Sequence, residues 1–304
     1  MQPNQASELK NLVEKREKRF LYKTRFIAIT SGKGGVGKSS IAANLAYLLC
    51  KLGKKVAIFD ADIGLANLDI MFGIHAKYNI LHALKGEVGF KDIIFNVEKN
   101  LLLIPGDNGD EILKYANSGV FERFLNESGV CEDIDYMIID TGAGLGGISQ
   151  NFLDASDLLI VVTMNDPSAI TDAYATIKLN AKEKSDIAIV LNMAQSASEA
   201  NSVFSRMKSL AKSKIPGLTL HYLGFLAHSP LVINACRKRE IFCKTQSLSA
   251  EKFQMDTILH NLIALESTLF TSQSTPKNAH KMEQNMLNSN NALACLFKRV
   301  AGYC

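Results

Sequence analysis

The chain has 304 residues, of which 47% are hydrophobic and 21% charged, enough to bury a sizeable core and too apolar for wholesale disorder, a collagen-like repeat or a disulfide-stapled mini-fold. Its formal net charge of +4 is too small to declare a partner. The placement of that charge is informative: residues 1–25 hold seven Lys/Arg against three Asp/Glu, residues 271–304 four against one, and residues 26–270 twenty-three against twenty-six.

In chain order, residues 1–24 read as one polar helix with a thin apolar stripe of Leu9, Leu12, Val13 and Phe20. They lack the continuous apolar core of a secretion signal. From Phe26 onward, short apolar runs alternate with helix-length amphipathic segments. The pattern predicts strands at 26–30, 56–60, 101–104, 136–140, 158–163, 187–192 and 222–226, and helices at 38–51, 110–126, 168–182, 199–211 and 250–269. The strand candidates are continuous apolar runs, as in strands covered on both faces. The expected fold is therefore α/β, a mostly parallel twisted sheet flanked by helices and built from βαβ units. Residues 271–290 are polar and read as a flexible linker reaching roughly 25 Å, followed by a short amphipathic segment at 291–304. No uncharged apolar run reaches the ~18 residues of a bilayer-crossing helix. Six scattered cysteines with no Cys-x-x-Cys pair fit reduced thiols in the cytoplasm.

The chemistry begins after the first strand, at Gly32-Lys33-Gly34-Gly35-Val36-Gly37-Lys38-Ser39, with Ser40 opening the helix. This is the G-x-x-x-x-G-K-[ST] phosphate loop in its strand–loop–helix setting. Its glycines let backbone N–H groups close around phosphate oxygens at a helix N-terminus whose partial positive charge favours them. Lys38 is placed to bridge the β- and γ-phosphates, and the Ser39 hydroxyl to ligate Mg²⁺. The second strand ends in Asp60-Ala61-Asp62, with Asn67 and Asp69 close behind, and the fourth in Asp140, ahead of the glycine-rich stretch 141–147. Acids at the C-terminal ends of parallel strands face the crevice where ligands bind in open α/β sheets. One such carboxylate can hold Mg²⁺ through water while another positions an attacking water. Asn192, closing the sixth strand, offers an amide donor and acceptor.

Ser31 to Ser39, with a second lysine at Lys33, resembles the deviant Walker A loop of the MinD/ParA family of dimerising ATPases. The resemblance implies ATP and Mg²⁺ as cofactors and a homodimer in which Lys33 reaches the partner's nucleotide. It implies that Asp62 orients the hydrolytic water while Asp60 and Asp140 support the metal with Ser39. It implies that Asn192 reads the adenine edge, and that the loop around Pro230 covers the ring. Family members often carry Pro-Ala-Gly where this chain has Gly142-Ala143-Gly144. No cysteine lies where nitrogenase-type iron proteins hold a cluster, so no metal centre beyond Mg²⁺ is expected.

Each end resembles a known tether. On a helix, Leu293, Leu296, Phe297, Val300, Tyr303 and Cys304 share an arc of about 120°, with Lys298 and Arg299 outside it. Such a helix suits a bilayer interface rather than a span, and MinD-like members carry one at this position. Asn4-Gln5-Ala6-Ser7-Glu8-Leu9-Lys10 resembles the D-Q-A-x-x-L-R motif of the FlhG (FleN) branch, which regulates flagellar number and placement. That likeness implies Gln5 as a contact to an FlhF-type GTPase, with Asn4 and Lys10 replacing the branch's Asp and Arg.

The expectation is a cytoplasmic ATPase in four parts: a partner-binding helix at 1–25, an ATPase domain at 26–270, a linker at 271–290 and a membrane-targeting helix at 291–304. It hydrolyses ATP slowly as a dimer on the inner membrane face and acts with the GTPase and flagellar basal-body proteins. A MinD-type division-site regulator and a ParA-type DNA-partition ATPase stay open as alternatives. No specific nucleic acid is expected, because residues 26–270 sum to a net negative charge.

Overall fold

A computed structural model of the chain describes residues 24–62, 68–106, 134–144, 148–246 and 248–271. The expected helices at 1–24, 110–126 and 291–304 and the linker from 272 lie outside the described residues.

Eight strands form one sheet: β1 (Arg25–Ser31), β2 (Val56–Ala61), β3 (Phe95–Glu98), β4 (Leu101–Ile104), β5 (Tyr136–Ala143), β6 (Leu158–Thr163), β7 (Asp186–Ala194) and β8 (Thr219–Ala227). Their order is β3-β4-β2-β5-β1-β6-β7-β8, parallel at every pairing except β3 against β4. The helices are α1 (Lys38–Lys51), α2 (Leu68–Met71), α3 (Ile80–Leu84), α4 (Ile148–Ala155), α5 (Pro167–Asn180), α6 (Ala197–Lys214), α7 (Pro230–Lys238), α8 (Phe242–Thr245) and α9 (Ala250–Thr271). Among the described residues no helix is long and apolar enough to cross a membrane.

The expected strands all form. The antiparallel edge strand β3 was not expected, because its four residues, three half-buried and Asn96 exposed, make no buried apolar run. The short helices α2, α3 and α8 give too few turns for periodicity to register. Pro230, expected in a loop, opens α7: the Ser229 hydroxyl caps it, accepting from Leu231 N–H at 3.2 Å, and proline suits a first helical turn that needs no donor.

Alternation along the central strand assigns the two faces. Ile27 and Ile29 of β1 enter one core with α1 and α9, whereas Phe26 and Ala28 enter two cores on the other face, beside α3 and α4 and beside α5 and α6. Residues 40–50 of α1 are all buried, because α8 and α9 cover the side turned from the sheet. Its one buried amide, Asn44, is satisfied: it donates to Ser40 O at 2.8 Å and accepts from Cys243 N–H at 3.0 Å.

The chain leaving β4 passes very close to the end of β2. A Cβ at Gly106 would lie 1.6 Å from the main-chain oxygen of Asp60, so a side chain there must push these segments apart. Gly106→Ala is expected to lower stability by about 1–3 kcal/mol in urea unfolding. An unchanged midpoint would show that the end of β2 is not held by this contact.

Candidate functional site

The C-terminal ends of β1, β2, β5 and β7 converge on the loop between β1 and α1. Gly32 packs against the second turn of α5, where an added Cβ would sit 2.1 Å from the main-chain carbon of Asp172. Gly37 has φ +83°, a left-handed conformation that favours glycine, and no side chain caps the helix it precedes. The first N–H groups of α1 are thus left for an external acceptor.

Lys38 lies at the centre with its side chain only 6% exposed. Its Nζ donates to Asp140 Oδ1 at 2.6 Å, Ser39 Oγ at 3.3 Å and Asp62 Oδ2 at 3.5 Å. A buried ammonium survives only when paired, and Asp140 supplies the pair. Asp60 and Asp140 stand side by side in the β2–β5 register. Asp60 accepts from the N–H groups of Asp62 (3.2 Å) and Leu68 (3.1 Å), yet burial first and then the adjacent Asp140 charge push it up to about 7. Burial likewise raises Asp140, against the pull of Lys38. Three carboxyl groups gathered around one ammonium can together supply excess negative charge on ionising, which suits a divalent cation.

No group of three or more metal-ligating side chains among the described residues is arranged to hold an ion by itself. Mg²⁺ habitually takes most of its ligands from phosphate and water, so a partial protein donor set suffices for it. The donor set of Ser39 with Asp60 and Asp140 fits that role.

Asp62 also faces the last turn of β5: a Cβ at Gly142 would come 3.1 Å from its Oδ1. Glycine at this position lets the carboxylate approach. Gly144, at φ +111°, donates to Ser31 O at 3.1 Å and ties this segment to the loop. Gly34 and Gly35 are exposed on the loop, and Val36 is buried beneath it.

Lys33 is not part of this cluster. Its Nζ donates to Asp166 Oδ1 at 3.1 Å and Ser168 Oγ at 2.5 Å, at the start of α5. The Ser168 hydroxyl, the Ala169 N–H and Lys33 hold the Asp166 carboxyl well below the usual carboxylate range. The Asp-Pro-Ser start of α5 is a legible helix cap, but its pairing with Lys33, 133 positions away, is not legible in sequence.

A cavity of about 230 Å³ opens between this loop and the ends of β7 and β8, lined among others by Ser40, Asn192, Met193, His228 and Cys236. Pro230 is exposed beside this rim. Asn192 is buried; its Nδ2 donates to Val36 O at 2.7 Å, and its Oδ1 accepts from Met193 N–H at 2.9 Å. Met193, His228 and Cys236 carry no motif and are brought to the cavity only by the fold. Gln5, Leu293, Leu296, Phe297 and Val300 lie outside the described residues.

The ParA family model, described as NUBPL iron-transfer P-loop NTPase, matches residues 23–263. The chain is 50% identical over 246 residues to the flagellum site-determining protein YlxH of Helicobacter pylori, covering 79% of this chain and 84% of that protein. It is 29% identical over 225 residues to the antiactivator FleN of Pseudomonas aeruginosa, covering 72% and 79%. Among solved structures, the MinC:MinD cell division protein complex of Aquifex aeolicus aligns with a TM-score of 0.63 and 25% identity, covering 79% of this chain and 96% of that one.

The elevated Asp60 gives the ligand-free protein a definite pH dependence. The folded state holds this proton up to about 7 whereas an unfolded Asp releases it near 3.8, so stability falls as pH rises between those values. Asp60 contributes at most about 1.4 kcal/mol per pH unit to this slope, and the raised Asp140 adds to it in the same direction. Asp60→Asn should flatten this fall in urea titrations at pH 5, 6 and 7; an unchanged slope would place the proton elsewhere.

Proposed function

The chain belongs to the MinD/ParA family of P-loop NTPases, and on that premise we propose an ATP- and Mg²⁺-dependent ATPase that dimerises around its nucleotides and regulates the number and placement of flagella from the inner face of the cell membrane. The observation that carries the catalytic reading is the buried Lys38, held by Asp140 beneath an uncapped helix N-terminus. The likeness to the flagellum site-determining relative supports the cellular role.

In this mechanism Lys38 exchanges Asp140 for the β- and γ-phosphate oxygens. Asp140, Asp60 and the Ser39 hydroxyl would hold Mg²⁺, Asp140 once Lys38 has left it. Mg²⁺, when bound, neutralises charge developing on the phosphates. Asp62 orients the water that attacks the γ-phosphorus, and ADP leaves as the bond to its β-phosphate oxygen breaks. Lys33 leaves Asp166 and Ser168 to reach the partner's nucleotide, which makes hydrolysis dimer-dependent and slow. Asn192 and Pro230 flank the adenine.

The two basic ends serve as tethers. Leu293, Leu296, Phe297 and Val300 enter the bilayer interface, while Lys298 and Arg299 add roughly 1 kcal/mol each near anionic lipid. Two such helices on one dimer gain by avidity. Gln5 and its neighbours engage an FlhF-type GTPase, and flagellar basal-body proteins complete the partners.

Asp62→Ala with ATP should accumulate as a dimer that sediments with anionic liposomes, because it binds nucleotide and fails to hydrolyse it. A monomer left in the supernatant would refute the cycle. Lys33→Ala should stay monomeric by size-exclusion chromatography and lose ATP turnover. For the other end, a peptide of residues 1–24 should accelerate the partner GTPase, and the Gln5→Ala peptide should not; equal rates with both would remove the GTPase contact.

A further inference from the structure

Asn192, near the end of β7, turns its amide nitrogen to the phosphate loop. Its Nδ2 donates to the main-chain oxygen of Val36, 156 positions away, at 2.7 Å. Its Oδ1 accepts from Met193 N–H at 2.9 Å. Met193 has φ +54°, a left-handed backbone uncommon outside glycine, and this local bond supports it. The amide also fills the space beside Gly37, where a Cβ would lie 2.2 Å from Nδ2. These contacts fix one peptide unit, the bond between Val36 and Gly37. In a planar trans peptide the C=O and the following N–H point in opposite directions. With the Val36 oxygen held on Asn192, the Gly37 N–H therefore points the opposite way within that plane, away from the Asn192 amide.

We propose that Asn192 is a positioning residue for the phosphate loop: by holding the Val36 carbonyl it presents the Gly37 N–H to a phosphate oxygen, so its loss weakens phosphate binding whatever base the ligand carries. This rests on the nucleotide-binding function proposed above and adds to it a role directed at phosphate. Without the amide, the Val36 carbonyl loses its buried donor and the peptide is free to rotate. Asn192→Asp isolates the effect. It keeps the shape and the acceptor for Met193 N–H, but sets a carboxylate oxygen against the Val36 oxygen.

The test is calorimetric titration of the full chain with the magnesium complexes of ATP, GTP and inorganic tripolyphosphate, for the wild type, Asn192→Ala and Asn192→Asp. Both variants are expected to weaken GTP and tripolyphosphate roughly 5- to 100-fold, the range for leaving a buried carbonyl unpaired, and ATP by at least as much. Tripolyphosphate affinity within twofold of wild type, with only the preference for ATP over GTP lost, overturns the proposal and leaves Asn192 as a base reader. Unchanged binding of all three also overturns it. Wild-type protein that binds none of the three refutes the nucleotide function itself, a distinct outcome. Should Asn192→Ala unfold, the isosteric Asn192→Asp carries the test, together with the amide resonance of Gly37 in the ligand-free protein. That resonance should move if the peptide turns and stay in place if it does not.

Discussion

One buried ammonium group organises this molecule. Lys38 sits beneath the first turn of α1 with almost no access to water, and such a charge is stable only beside an opposite one. Asp140 provides it at 2.6 Å, which requires β5 to lie next to β1 and to reach the same level. The register places Ile29 opposite Asp140 on one side of β5 and Asp60 opposite it on the other. Three neighbouring strands thus end at one depth, and their ends define the reaction chamber. The long apolar strands behind them make those positions rigid enough for the pairing to hold.

The same arrangement crowds two buried carboxyl groups against each other. Asp60, with its pKa raised by burial and by Asp140, is an acid that its surroundings keep from ionising freely. A divalent ion arriving with phosphate would relieve this repulsion, while Lys38 would find in the phosphates a replacement for its carboxylate partner. Lys33 is held in a similar way outside the chamber, on Asp166 and Ser168, so both lysines of the loop rest on carboxylates of their own chain.

Close approaches rather than motifs connect the parts. Gly32 touches the second turn of α5, Gly37 touches Asn192, Gly106 touches the end of β2 and Gly142 touches Asp62. Each leaves no room for a side chain without displacement, and each joins the loop or a chamber carboxylate to a different element. The loop is thus packed directly against α5 and the end of β7, and Gly142 brings β5 against Asp62.

Much of this was legible in the sequence. Continuous apolar runs gave every strand of the parallel sheet, because strands buried on both faces lack polar alternation. The glycine–lysine–serine spacing marked the loop, since the chemistry of phosphate binding constrains adjacent residues. Asp60, Asp62 and Asp140 were identifiable because each follows an apolar run at a strand end. The basic ends were visible as charge alone, separate from a slightly acidic body. What the sequence did not contain were partners distant along the chain: Asp166 for Lys33, Val36 for Asn192, and Met193, His228 and Cys236 around the cavity. Local pattern determines which backbone forms and which chemical groups it carries, because propensity and periodicity act over a few residues. Strand order and register decide which of those groups meet, because burying both faces of the sheet brings together side chains more than a hundred positions apart.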